Sequence, residues 1–575
     1  MSVSARRPAL GEARRAAAHV LRDRRAVASV VGAGLLVFGL GTWMRRWAGL
    51  PLPGALPDVL RASAAVAALL WLCGYAPARL LTPRGLRAHA ALLAFPVGAV
   101  TSALALALLG LARVPFGVAL PAVLGAGAAG AVAVRLRLGP AGAQWDAGER
   151  ARGPAERLLW PAYVGIVVAA IALIPVWRAG FATVVGQNGD AVLAVGSAEL
   201  VKHAPPTAIR EELPVDRIPL PWRSKYPIFY PLAAASELSG LSVIEVFPVM
   251  CAAMLAMMAF GVFLVARYAM GAALATALAA MAVVGLGRIP LSLAIHPYYN
   301  QLWALFALPF ILLAGWRFLR GPTLGGAALL ALFGAAGAFA YPLMLPFPAL
   351  FLAVGAWLRV RQARESGEWG RWREQARARV RRTPTAAAVA GGLAALALAA
   401  VLVRGVAEKT ISAAVALSPW GSLDAWSGSA LPYLPFHRFF GVFNPDGVLL
   451  AAVMIAAVLA AAAWGLARAP RSFGLPMAVM VAGGLAFGVY FRARTQAELF
   501  FFKDMSFAGA MVVMCAVVGL GELARRSRAV AAGGLAVLAA MAALTFETAR
   551  REVMTTYEYA TRDVLELRDW SRRLP

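Results

Sequence analysis

The chain alternates long apolar blocks with short polar stretches. Within a block the apolar residues run on without period-two alternation, which excludes a membrane β-barrel and points to helices. Each block is close to the roughly 20 residues that a helix needs to cross a bilayer. Fifteen spans are predicted, at about 27–44, 58–80, 89–112, 116–134, 159–177, 243–266, 269–287, 300–319, 323–340, 343–358, 386–403, 447–467, 473–491, 505–521 and 529–546. The first block follows seven arginines and reads as a signal anchor. The expected fold is an all-α, polytopic helical membrane protein of about 15 transmembrane helices.

Composition agrees with this pattern. Of 575 residues, 61% are hydrophobic and 14% charged, and the mean hydropathy is +0.71. Those values exclude a soluble globular enzyme, a disordered chain and a secreted disulfide scaffold. Cys73, Cys251 and Cys515 all fall inside apolar blocks, without metal-ligand spacing, and read as small buried apolar residues.

A net charge of +27 in a soluble protein would suggest nucleic acid. Its distribution gives a different reading. With the N-terminus in the cytoplasm, the inner segments hold 32 of the 55 basic residues and 9 of the 28 acidic ones. This is the positive-inside bias of a multi-pass protein, so no nucleic-acid partner is expected, and the odd span count puts the C-terminus outside. The longest inner loop has about 24 residues, too few for an enzyme domain, so any chemistry belongs to the outer face or the membrane. The expected location is a cell membrane, namely a bacterial inner membrane.

Four regions follow. Residues 1–158 hold a cytoplasmic N-terminus and four spans. Residues 159–446 hold seven spans with long outer loops at 178–240 and 404–446. Residues 447–546 hold four spans, and 547–575 form an outer amphipathic tail.

The outer segments carry the candidate chemistry. Only four lysines stand against 51 arginines, and Lys202, Lys225, Lys409 and Lys503 all fall in predicted outer loops. Such isolated cations suit phosphate or carboxylate contacts. Asp190 follows Gly186-Gln187-Asn188-Gly189 and opens an apolar-periodic stretch, so it is placed at a helix N-terminus as a candidate general base. Glu199, Lys202 and His203 lie further along that stretch. Arg223 and Lys225 sit in a Pro- and aromatic-rich approach to the next span, at headgroup level. The turn His296-Pro297-Tyr298-Tyr299-Asn300-Gln301 is a candidate cavity lining, and Lys503-Asp504 follow three phenylalanines at the outer end of another span. The spans carry almost no charge in their middle thirds, with Arg61 and Glu245 near span ends.

The fifth to eleventh spans, with an acidic residue near the start of the first outer loop, resemble the GT-C superfamily of integral-membrane glycosyltransferases. The resemblance covers about residues 159–446. It implies that a sugar passes from a polyprenyl-phosphate donor to an envelope glycan, lipid or protein acceptor on the outer face, by direct, inverting displacement. It implies Asp190 as the base, and the His296–Gln301 turn as the place of a second polar site residue. Lys503, Arg223 or Lys225 would stabilise the leaving lipid phosphate. The sequence has Gly189-Asp190-Ala191 where the family carries paired acids, and Asn300 and Gln301 where it carries a carboxylate. A divalent cation is therefore left open, no other cofactor is implied, and membrane lipids are the remaining partners. The alternative readings are a lipid or glycan transporter or flippase, suggested by the proline-interrupted spans, and a non-catalytic scaffold for envelope assembly.

Overall fold

The computed structural model describes residues 52–206, 225–367, 433–441, 447–525 and 528–571, with the isolated positions Gly370, Glu374 and Ser418. The predicted spans at 27–44 and 386–403, Arg223, and most of the loop at 404–446 lie outside the described residues. The rest is helical, with no strand among the described residues and one isolated β-bridge, Val185 to Glu558.

The main helices, numbered here in chain order, are α1 (Leu52–Leu81), α2 (Ala90–Leu111), α3 (Phe116–Leu138), α4 (Trp160–Ala172), α5 (Asp190–His203), α6 (Phe229–Ser239), α7 (Val243–Leu264), α8 (Leu274–Gly285) and α9 (Arg288–Ile295). They continue with α10 (Tyr299–Arg320), α11 (Leu324–Ala340), α12 (Pro346–Glu365), α13 (Val448–Arg468), α14 (Arg471–Ala493), α15 (Glu498–Leu523), α16 (Arg528–Thr555) and α17 (Arg562–Ser571). Eleven described helices are long and apolar enough to cross a membrane, or twelve if α8 and α9, bent by 50°, make one span. α11 is apolar but shorter, at 17 residues. The protein is a multi-pass helical membrane protein whose apolar surface meets lipid.

Several span ends differ from the sequence reading: α12 runs on to Glu365, and two others change the outer segments. α15 begins at Glu498, so Lys503 and Asp504 stand inside its second turn and not in a preceding loop. Phe500, Phe501 and Phe502 are buried and anchor that turn. The last span runs on to Thr555, past the predicted start of the tail. There Glu547 pairs with Arg550 and Arg551 at helical spacing, which supports the added turns.

Helices pack closely where small residues permit it, as expected inside a bilayer. A Cβ on Gly98 would lie 1.6 Å from the Leu70 carbonyl oxygen, which holds α1 against α2. A Cβ on Gly519 would lie 1.9 Å from that of Ala461, fixing α13 against α15. α7, α10 and α15 form the centre: 89, 83 and 89% of their apolar windows are buried, against 17% for α3, α13 and α16 on the rim. Along the first half of α10 aromatic rings fill the contact with its neighbour, with Trp303, Phe306 and Phe310 packed against Phe333 and Phe339 of α11.

The polar loops sort onto two faces. On one, Arg79 reaches the Gly139 carbonyl at 3.2 Å, and Arg267 pairs with Glu156 at 2.8 Å. His89 bridges the Arg157 carbonyl and the Tyr268 hydroxyl, and Trp316 donates to Ser472. These are the arginine-rich loops that the charge distribution assigns to a common side. On the opposite face, Arg178 donates to the Thr556 carbonyl at 2.9 Å, and Tyr433 to that of Arg494 at 2.6 Å.

Candidate functional site

The loop before α5 is held on both sides. Gly186 takes a φ of +93°, and a Cβ there would lie 2.2 Å from the Ile295 carbonyl oxygen, so the loop rests directly on the end of α9. Its N–H donates to the Tyr557 carbonyl at 2.9 Å, and Tyr559 N–H donates to Val184 at 2.8 Å. Residues after α16 thus form a strap across the loop. Gln187 N–H donates to His296 Nδ1 at 3.2 Å, while His296 Nε2 lies 3.4 Å from Glu552. Both nitrogens of His296 therefore tie the loop to α16.

Asp190 is the first residue of α5 and half-buried. Its N–H donates to Asn188 Oδ1 at 3.1 Å, which sets the turn and leaves the carboxylate at the positive end of the helix. Two tyrosines feel its charge. Burial, and then the Asp190 charge, hold the Tyr298 phenol above its ordinary value. Tyr341 is raised by burial and by Asp190, with Lys503 acting in the opposite sense.

Tyr341, 5% exposed in the short junction between α11 and α12, is the centre of the arrangement. The Lys503 ammonium stands 5.0 Å from its ring centroid and that of Lys225 stands 5.7 Å away. Tyr298 packs on Phe502, one residue before Lys503, at 5.2 Å between ring centroids. Lys225 and Lys503 thus approach one tyrosine from separate parts of the chain, the Asp190 charge acts on the same phenol, and Tyr298 packs next to Lys503 on Phe502. At the start of α10, Tyr299 is buried and donates to the Ile228 carbonyl at 3.0 Å. Asn300 and Gln301 are buried beside it, and Asn300 Oδ1 and both Gln301 amide atoms have no partner among the described residues.

An apolar groove of about 100 Å³ leads away from Lys503 and Asp504 between α12, α14 and α15, lined by Leu343, Phe347, Leu350, Phe487 and Phe491 among others. Phe487 is 51% exposed, so the groove opens at the side of the bundle. Its floor needs glycine: a Cβ on Gly484 would lie 2.6 Å from the Phe347 ring. Asp504 lines the groove, and its Oδ2 is buried without a partner among the described residues.

The other candidates stand elsewhere. Lys202 and His203 end the 14-residue α5, roughly 20 Å from Asp190 at 1.5 Å per residue. Lys202 binds Glu199 at 3.0 Å and Ser236 at 2.8 Å, and His203 is exposed 3.4 Å from Glu199. Partial burial raises the Glu199 carboxyl, but the hydrogen bonds and charges of Lys202 and His203 outweigh it and leave it lowered. Lys202 and His203 line a separate cavity of about 220 Å³ with Arg113 and Tyr230. Among the described residues no group of three or more His, Cys, Asp or Glu side chains could hold a metal ion.

Sequence reasoning missed Tyr341 and Glu552. The signal for Tyr341 was a Tyr-Pro pair between two apolar blocks; for Glu552 there was none beyond its place in a mixed-charge tail. No protein-family model matches the chain, and no curated protein matches it.

Proposed function

We propose that the protein is a membrane glycosyltransferase that moves a sugar from a polyprenyl-phosphate donor to an envelope acceptor on the outer face. The observation that carries this reading is the approach of Lys225 and Lys503 to Tyr341, within the field of Asp190, where Lys503 also lines an apolar, laterally open groove. The donor has the same two-part chemistry. Its chain needs an apolar slot reachable from lipid, and its phosphate needs cations where slot and water meet.

In the proposed mechanism the lipid chain lies along Phe347 and Phe487. The two ammonium groups neutralise the charge that develops on the departing phosphate, in a site shielded from water where such interactions are strong. The acceptor hydroxyl attacks the anomeric carbon as the bond to the phosphate oxygen breaks, and its proton passes to the Asp190 carboxylate. The strap and His296 hold the Asp190 loop, so that the base keeps its place through the reaction. The apolar aromatic packing along α10, from Trp303 to Phe310, favours this reading over a transporter, which needs a polar site near the midplane.

The test uses the full chain in proteoliposomes with polyprenyl-phosphate hexoses and pentoses as donors and envelope extract as acceptor. Asp190→Asn should lower transfer by about 10²- to 10⁴-fold, the usual contribution of a positioned base. It should do so with unchanged elution in detergent. A wild-type rate in this variant removes Asp190 from the chemistry, and no transfer by the wild type from any donor removes the activity.

A further inference from the structure

The arginine-rich face holds a third cavity, of about 490 Å³, where α10 and α12 end and α14 begins. That volume equals on the order of sixteen water molecules' share of liquid, enough for a phosphate group and what it is attached to. Arg320, Arg359, Arg361 and Arg471 reach it from three helices, with Trp316 and Ser472 as further walls. One carboxylate, Glu365, also lines it and is paired with Arg361 at 2.6 Å. The Arg320 guanidinium lies 4.9 Å over the Trp316 ring, and the indole N–H donates to Ser472 at 3.3 Å, which fixes that wall.

A positive-inside bias alone asks only for solvated arginines. Arg320 has a further local reason, because it stands in the last turn of α10, where the dipole favours cations, and Arg361 pairs with Glu365. Arg471 is different: it is the first residue of α14, where the positive helix end disfavours it. An anion in front of it would offset that cost, met by the helix end and the facing guanidiniums together. Planar guanidinium forks match phosphate oxygens, and the cavity lies at the ends of spans, at the depth of lipid headgroups.

We propose that this cavity binds a phosphate anion, carried either by an anionic lipid headgroup or by a soluble phosphate compound. The proposal is independent of the glycosyltransferase reading, since it concerns the opposite face and needs no turnover. The full chain is placed in phosphatidylcholine nanodiscs, and retention of added phosphatidylglycerol is measured by native mass spectrometry. Thermal stability is recorded in parallel with inorganic phosphate or pyrophosphate. Wild type is compared with Arg359→Gln/Arg471→Gln and with Arg84→Gln, a substitution at an exposed arginine in a loop of the same face and outside the cavity lining.

The double variant should lose phosphatidylglycerol preference by about 10-fold or more, as expected for lost charge-assisted contacts. Arg84→Gln should keep it. A saturable shift with pyrophosphate that only the double variant loses, without lipid preference, assigns the cavity to a soluble phosphate. Equal behaviour of the two variants, or neither lipid preference nor a phosphate shift in wild type, overturns the proposal. Where the double variant does not elute as a single species, the rim substitution Arg320→Gln is measured in the same way and judged by the same outcomes.

Discussion

At the scale of single residues, the site is a problem of charge near a membrane. Lys225 and Lys503 both stand beside the ring of a buried phenol. A cation over an aromatic face is not neutralised by that contact, so the Lys503 charge can also meet a ligand phosphate in the groove it lines. Lys503 is closer to the groove than Lys225, because it also lines it. If it contacts the donor phosphate in both ground and transition states, Lys503→Gln should raise KM for the lipid donor and lower kcat. The loss of kcat/KM should be about 10- to 100-fold, the worth of one charge-assisted hydrogen bond at a shielded site. Lys202→Gln, at the far end of α5, should leave both constants near wild type. Equal losses in the two variants would mean that the cations act only through the general field of this face. The helix start at Asp190 was legible from the Gly and Asn residues before it, and the rarity of lysine singled out Lys225 and Lys503 together with Lys202, which lies elsewhere. Tyr341 was not legible, since a tyrosine at a span junction is ordinarily an interfacial anchor.

At the scale of elements, glycine positions decide which helices touch. Gly465 and Gly519 face each other across the α13–α15 crossing: a Cβ on the first would meet the Cys515 carbonyl oxygen at 2.3 Å, and on the second that of Ala461 at 1.9 Å. Both obstacles are backbone, which cannot swing aside like a side chain. Gly519→Leu should therefore destabilise the protein by at least about 1–3 kcal/mol, the usual cost of overpacking, seen as a lower melting temperature in detergent. Gly533→Leu, at a position with open space around its Cβ, should change it little. Equal melting temperatures would show that the crossing is looser than described. The existence of these helices was readable from apolar runs, but their ends were not. α15 starts seven residues before the hydropathy-based boundary because Phe500 to Phe502 bury themselves in the bundle and carry Lys503 and Asp504 into helix with them. Hydropathy averages over such a mixed turn, whereas burial is decided by neighbours that are distant in sequence.

At the scale of the whole molecule, the charge distribution carried more information than the spans did. The predicted inner loops around 79–88, 135–158 and 267 meet one another through Arg79, His89 and Arg267, and Trp316 of α10 bonds to Ser472 at the start of α14, each far apart in sequence. The loop before α5 meets the segment after α16 on the opposite face. A two-sided sorting of this kind follows from which loops are drawn to the cytoplasm during insertion. If the arginine-rich face is cytoplasmic, Asp190, Lys225 and Lys503 stand outside, where a polyprenyl-linked sugar would be consumed. Single cysteines decide this, and the native ones do not interfere, because Cys73, Cys251 and Cys515 are all buried. Gln496→Cys lies in the exposed turn between α14 and α15, and Ala143→Cys lies exposed on the arginine-rich face beyond α3. In intact cells an impermeant maleimide should label the first, and the second only after permeabilisation. The reverse pattern would turn the molecule over and place the candidate site on the side where soluble nucleotide sugars are present, removing the reason to expect a lipid-linked donor. Labelling of both without permeabilisation would mean that the two faces are not separated by a membrane, and would overturn the two-sided sorting itself.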